Sequence, residues 1–403
     1  MVLGASGGVA NAFLHHMSLY RKLFHRFVLV DKNDKVLRDR YIDHAAIDYV
    51  FVHKHIKIPE KEHEYLALLK KYKITLVLDL TDMNSMEILE ATDKAGVSYV
   101  NTAMNDDTKT VKELIFEIYP RKKEFNRAPH ILCTGMNPGV VNMWVRYGIE
   151  RFGVPKSIVH FEYDTSTPSR VWRSMMTWSI HEFLVESVRD PSGVALGRRA
   201  VKTLYPNALE NREDMTSILG PVMKLDKYPQ GLTVLHEENL SISYKYDIPS
   251  KFIYAVNPRT MEHLLRIYTK KKNVLRRDLE MGDNTQTVLD GSDTIGVLLE
   301  YPDKKVYYLN SIPNGAIIGT NATYTQVAIG VFAAVFTLLY DDLPPGAHFV
   351  EDLFDYHFKF FMFDNMRVQE FVFRKGISGW RMAKYAPMVS LNRRDRFEHW
   401  YIV

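Results

Sequence analysis

A chain of 403 residues, 46% hydrophobic and 25% charged, is long enough to bury a sizeable core in two domains and is too apolar to stay disordered. Its 52 basic and 48 acidic residues leave a net charge of +4 spread along the chain, too mild and too mixed for a nucleic-acid partner. One cysteine, Cys133, excludes an intramolecular disulfide and fits a reducing compartment; inside an apolar run it reads as a small buried thiol.

The first residues, MVLGASGGVANAFL, read as a strand end, a glycine-rich turn and a helix. Gly4, Ser6, Gly7, Gly8 and Val9 form the turn, and small residues there let backbone approach a pyrophosphate that the helix N-terminus favours. FVLV then ends in Asp31, an acid placed to bind ribose hydroxyls and to repel a 2′-phosphate, which favours NAD over NADP. YVFVH, ITLVLDLT and VSYVNTA continue as strands, with EKEHEYLALLKKYK and NSMEILEATDKAG as helices between them. This alternation predicts a Rossmann-type doubly wound parallel sheet with ligands at the strand ends. Asp79, Thr81, Asn101 and Thr102 lie at such ends, where helix capping and cofactor contact are equally open.

ILCTG reads as a sixth strand, and Asn137-Pro138-Gly139 starts the next helix with Pro138 at its first position. From about Pro155 the pattern changes. SIVHFEY, VLHEENLSISYKY, VLLEY, KKVYYLN and GAIIG suggest a mixed or antiparallel sheet. From Thr323 the chain reads as mostly helical. Its most apolar run, the 14 residues Val327 to Tyr340, is short for a bilayer span, and no membrane partner is expected. The N-terminus enters a strand directly, without a secretory leader, so a cytoplasmic location is expected. The resulting division is a cofactor domain over 1–150, an α+β substrate and dimerisation domain over 151–320, and a helical segment over 321–403 with an exposed basic and aromatic tail from Met382.

In the second half acids recur in short segments: Glu162 and Asp164, Glu182 and Glu186 after Trp178, His236-Glu237-Glu238, and Asp290 with Asp293. Trp178, Glu182 and Glu186 fall at i, i+4 and i+8, one face of a helix. A tryptophan face beside carboxylates attracts a cation; core packing and a solvated face are the plainer readings of the same residues. One cysteine and no paired-histidine spacing leave no zinc site, and no metal is expected. No GxSxG elbow is present.

Taken in order, GASGGVA, TGMNPGVV, EYDT, TWSIHEFLVES, LHEENLSISY, DGSDTIGVLL and NATYTQVAIGV resemble the bacterial homospermidine synthases, within the wider saccharopine dehydrogenase-like group. The resemblance implies tightly held NAD and a redox-neutral cycle. Putrescine is oxidised to an imine, a second diamine displaces ammonia, and the new imine is reduced. It implies Trp178 as a cation–π platform, and Glu162, Asp164, Glu186, Glu237 and Asp293 as anchors for ammonium groups. His236 and Asn137 would position substrate or relay protons, and a homodimer would form through the second domain. The chain departs from the family at Asn105, where a glutamate is usual near the pocket mouth. Two rivals remain. A dehydrogenase acting on an amino-acid adduct such as saccharopine or carboxynorspermidine would bring arginines, with Arg170 and Arg173 at hand, to meet α-carboxylates. A non-enzymatic NAD-binding regulator would lack convergent carboxylates.

Overall fold

The computed structural model describes residues 1–283 and 287–391. Six short strands, β1 (Val2–Leu3), β2 (Phe27–Asp31), β3 (Tyr49–His53), β4 (Leu76–Asp79), β5 (Ser98–Asn101) and β6 (Pro129–Leu132), lie parallel in the order 3-2-1-4-5-6. Strands β1, β2, β4, β5 and β6 are apolar and largely buried, as a sheet covered by helices on both faces requires. The covering helices are α1 (Gly8–Met17), α2 (Glu62–Lys71), α3 (Ser85–Lys94), α4 (Val111–Arg121) and α5 (Val140–Phe152). The sequence reading passed over α4. It is held by a capping box in which Thr110 and Glu113 satisfy each other's backbone N–H groups.

Helix α5 begins at Val140, with Gly139 as its N-cap at φ +135°, so Pro138 stands before the helix and not at its first position. The Asn137–Pro138 peptide is cis.

The second domain is a mixed ten-stranded sheet. At its centre β7 (Ser157–Asp164) pairs in parallel with Ser250–Val256 and antiparallel with Ser292–Glu300; Lys304–Pro313, Gln369–Gly376 and Gly379–Ala386 follow outward. Three readings of this half are corrected. Most of LHEENLSISYKY is a helix, Glu237–Tyr246, whose residues from Glu237 to Ser243 are all buried, so no one-sided pattern marks it. GAIIG is a one-turn helix, Asn314–Ala316, followed by loop. The stretch from Thr323 is not mostly helical. Between the helices Ala322–Tyr340 and His357–Asn365 it adds strand Gly346–Phe349 beside β6, and after them it supplies two strands to the second sheet. The tail from Met382 starts inside the edge strand Gly379–Ala386; its residues 392–403 lie outside the described residues.

Helix Ala322–Tyr340, 19 residues, is long and apolar enough to cross a membrane, yet two thirds of its apolar window is buried in the core. It packs on α1, with Phe13 and Phe332 rings 4.5 Å apart, and so joins the domains through one continuous hydrophobic cluster. Cys133 is buried at the end of β6, and burial, then Glu237, pushes its thiol well up, as an inert packing role requires.

Candidate active site

A cleft of about 470 Å³ opens where the parallel sheet's C-terminal edge meets the second sheet. One wall is the glycine turn. Gly4 takes φ +70° against Leu80, and a side chain at Gly8 would strike the Tyr324 ring at 2.1 Å, so the turn is pressed between the sheet and the long apolar helix. Gly4, Ser6, Gly7, Gly8 and Val9 line the cleft, with Asp31, Thr81, Thr102, Asn137 and Pro138 around them. These are the groups a dinucleotide cradle needs at the topological switch point.

Asp31 has a second task that its sequence position did not reveal. Its Oδ2 accepts from Ser6 N–H and its Oδ1 from Asn33 N–H and Nδ2–H, each at 2.9 Å. It therefore fixes the turn, and of its four lone pairs one on Oδ2 stays open for a ribose hydroxyl. Asp79, expected at the cofactor, is turned inward. Buried, it accepts from Thr81 (2.6 Å) and Tyr99 (2.7 Å), and does not line the cleft; burial raises its pKa to about 6. Asn101 is likewise internal, accepting from Cys133 N–H at 2.8 Å.

The opposite wall comes from β7 and its neighbours. Glu162 and Asp164 project from one face by the two-residue period of a strand, Asp293 is paired directly opposite Asp164, and Tyr254 lies beside Glu162. Of the three acids only Glu162 reaches the cleft, where Tyr254 also lies, and Asn137 Nδ2 donates to Glu162 Oε2. Asp164 accepts from Ser166 N–H (2.8 Å) and Thr177 (2.7 Å), and Asp293 from Thr323 (2.6 Å), so these two stand behind the lining and act on it by charge. Burial first, and then the acidic neighbours, raise Glu162 and Asp293 well above the carboxylate range; burial raises Asp164. Glu162 Oε1 and Asp293 Oδ1 are buried and bond no protein group. Among the described residues no cation is bonded to these three buried carboxylates, and His236 acts on Glu162 only as a lesser influence, so a cation or protons must complete the site.

Trp178 lines the same cleft, its Nε1–H donating to Tyr254 Oη at 3.0 Å and its ring edge-on to Phe183 and Tyr254. The expected single helix face is corrected: Trp178 precedes the helix, Ile180–Leu184 is α-helical, and Val185–Arg189 widens into a π-turn. Ser179 caps the helix, and all three residues still reach the cleft because the widened turn aims Glu186 inward. Burial, then Glu186 and Asp82, raise Glu182 to about 8.

His236 is clamped between anions. Its Nε2 lies 3.2 Å from Glu186, and its Nδ1 lies 2.9 Å from Glu237 and against Glu238. Burial pulls its pKa down, but the three carboxylates outweigh burial and hold it well above its ordinary value. The resemblance implied a positioning or relay group here; the three carboxylates favour its imidazolium form. Among the described residues, His236, Glu237 and Glu238 are the one trio with metal-ligand spacing; Glu237 also holds Met104 N–H at 2.8 Å. Tyr254 and Thr323 escaped the sequence reading. The alternation of KFIYAV puts Phe252 and Tyr254 on Glu162's face, but only pairing to β7 shows it.

Arg170 and Arg173 are exposed, Arg173 bonded to Glu280 at 3.0 Å, and no arginine lines the cleft among the described residues.

Fold and site together define a two-domain protein with a nucleotide cradle facing an acidic, aromatic chamber. Residues 1–129 match the family described as Saccharopine dehydrogenase NADP binding domain. Among solved structures the chain is similar to homospermidine synthase from Legionella pneumophila in complex with NAD, with 14% identity and a TM-score of 0.71 over 90% of this chain and 87% of that one. It is also similar to apo saccharopine dehydrogenase (L-Glu forming) from Saccharomyces cerevisiae, with 9% identity and a TM-score of 0.57 over 92% and 98%. No curated protein matches. The fold is that of the saccharopine dehydrogenase-like NAD(P)-binding oxidoreductases.

Proposed function

We propose that the chain joins two diamines, with putrescine as the type substrate, releasing ammonia in a redox-neutral cycle of homospermidine synthase type. The observation that carries this reading is the buried Glu162–Asp164–Asp293 set beside Trp178 in a cleft without arginine. An α-carboxylate substrate would be repelled there, whereas a dication supplies the missing counter-charge. Convergent carboxylates also weigh against a purely regulatory role.

NAD would lie on the Gly4–Val9 turn, with Asp31 toward its ribose and Asn137 and Pro138 toward its reactive end. Bound there it supplies a hydride acceptor that returns the hydride later in the cycle. The chain's own residues hold an ammonium group at Glu162 and set the Trp178 face against the carbon whose positive charge develops. Asn137 orients the Glu162 carboxylate, and Glu186, tied to His236, accepts the proton leaving the substrate amine. Incubating the purified chain with putrescine and NAD should yield homospermidine and ammonia together. Neither product at any pH near neutral overturns the proposal.

A further inference from the structure

Behind His236, away from the cleft, a second polar region lies between α4, α5, helix Glu237–Tyr246 and the turn Val350–Asp352. Four oxygens there are buried and bond no protein group: Glu238 Oε1, Asn142 Oδ1, Glu351 Oε1 and Tyr119 Oη. They are neighbours through bonds that do form. Asn142 Nδ2 donates to Ser241 Oγ and to Glu351 Oε2, both at 3.0 Å, and Ser241 Oγ reaches back to the carbonyl of Glu238 at 3.5 Å. Burial first, and then Glu237, Glu351 and Glu238, raise the thiol of Cys133, and burial, then Glu351, raises the phenol of Tyr119, so these acids act on common neighbours. At the outer end Lys245 Nζ bonds the Glu351 carbonyl (2.7 Å) and Asp352 (2.6 Å), and Lys122 bonds Asp352 (2.6 Å), with side chains about a fifth exposed.

Buried oxygens without donors are the mark of an internal water cluster or of protonated carboxyls. The geometry points to a proton path from His236 through Glu238 to Glu351, with Asn142, Ser241 and Tyr119 holding the waters between, and Glu351 as the proton store. The inference rests on the proposed reaction. A substrate ammonium must lose a proton before its carbon gives up a hydride, and a proton must be returned as ammonia leaves. As a proton passes from the substrate to Glu186, the imidazolium gives its Nδ1 proton to Glu238 and becomes a neutral ring that keeps its Nε2 proton, so the Glu186–His236 pair stays net neutral. Both transfers reverse when the leaving ammonia is protonated, and the cycle stays balanced while substrate fills the mouth. The groups facing Glu351 set its readiness: Asp352 raises it, Lys245 and Lys122 lower it, and burial, the largest cause, keeps its carboxyl raised.

Glu351→Gln keeps the shape and removes the titration, and Tyr119→Phe removes one hydroxyl if the first variant folds poorly. Proton release on putrescine binding is measured by calorimetry in two buffers of different ionisation enthalpy, which needs no turnover. It should change in Glu351→Gln while NADH affinity stays within about twofold. Product formation should slow about tenfold or more with an increased solvent isotope effect, and Tyr119→Phe should show a smaller change of the same sign. Unaltered proton release and pH profile in both variants overturn the path. A wild-type chain that binds putrescine with proton release but makes no product overturns the reaction instead.

Discussion

Single side chains carry most of the chemistry, and their charge states can be tested. Glu162, Asp164 and Asp293 have raised pKa values, so their protonated forms are favoured in the fold. The stability they contribute is present at low pH and is lost as pH rises from the ordinary carboxylate range through the raised values. Asp293→Asn should therefore raise the thermal midpoint of the ligand-free protein at pH 8 by about 2 °C or more. The same change should weaken diamine binding about tenfold. Calorimetry reads both, and a lowered midpoint at pH 8 refutes the buried-charge argument. His236 has the same sign, because its folded pKa is raised too. Raised well above 6.5, it contributes stability below that value and loses it as pH rises through its folded pKa. His236→Gln leaves three buried carboxylates unpaired, a loss of about 3–5 kcal/mol by denaturant titration. Trp178→Ala should cut turnover about 30-fold, the worth of a desolvated cation–π contact of about 2 kcal/mol, with a much smaller loss of stability. Unfolding instead would leave only core packing for Trp178.

At the scale of elements, the glycine turn is where sequence and structure agree best. Its small residues, the strand before it and the acid at the end of β2 are local signals, and the parallel order followed from them. What the turn presses against was not legible, because Tyr324 lies more than 300 residues away on the apolar helix. Gly8→Ala should cost about 1–3 kcal/mol by overpacking and weaken NADH binding, measured by fluorescence titration. Tyr324→Ala in the same chain should restore part of both. Asp31→Ala should also weaken NADH, since it frees Ser6 N–H as well as removing a ribose acceptor; unchanged affinity removes Asp31 from the site. The Glu237–Tyr246 helix was misread because its serines and tyrosines alternate with apolar residues like a strand, while every residue from Glu237 to Ser243 is buried. All-round burial erases the period that separates helix from strand.

Over the whole molecule, the last third of the chain completes both domains. Strand Gly346–Phe349 edges the first sheet and Gln369–Gly376 extends the second, so truncation after Tyr340 should give an insoluble chain, checked by expression and circular dichroism. The homodimer implied by the family resemblance remains a proposal, tested by light scattering against the 46.8 kDa chain mass.

The sequence by itself determined the cofactor half, the acidic and aromatic character of the site, and Trp178, Glu162, Glu186 and His236 as residues of interest. Those signals are local: spacing, small residues and residue type. Only the tertiary structure decided which acids reach the cleft. Strand register set Asp164 and Asp293 behind Thr177 and Thr323, turned Asp79 inward, and left Arg170 and Arg173 in solvent. It also converted His236 from a titrating imidazole into a clamped cation, because three carboxylates converge on one ring from two separate segments. Charge depends on distance and burial, and neither is written in a linear order of residues.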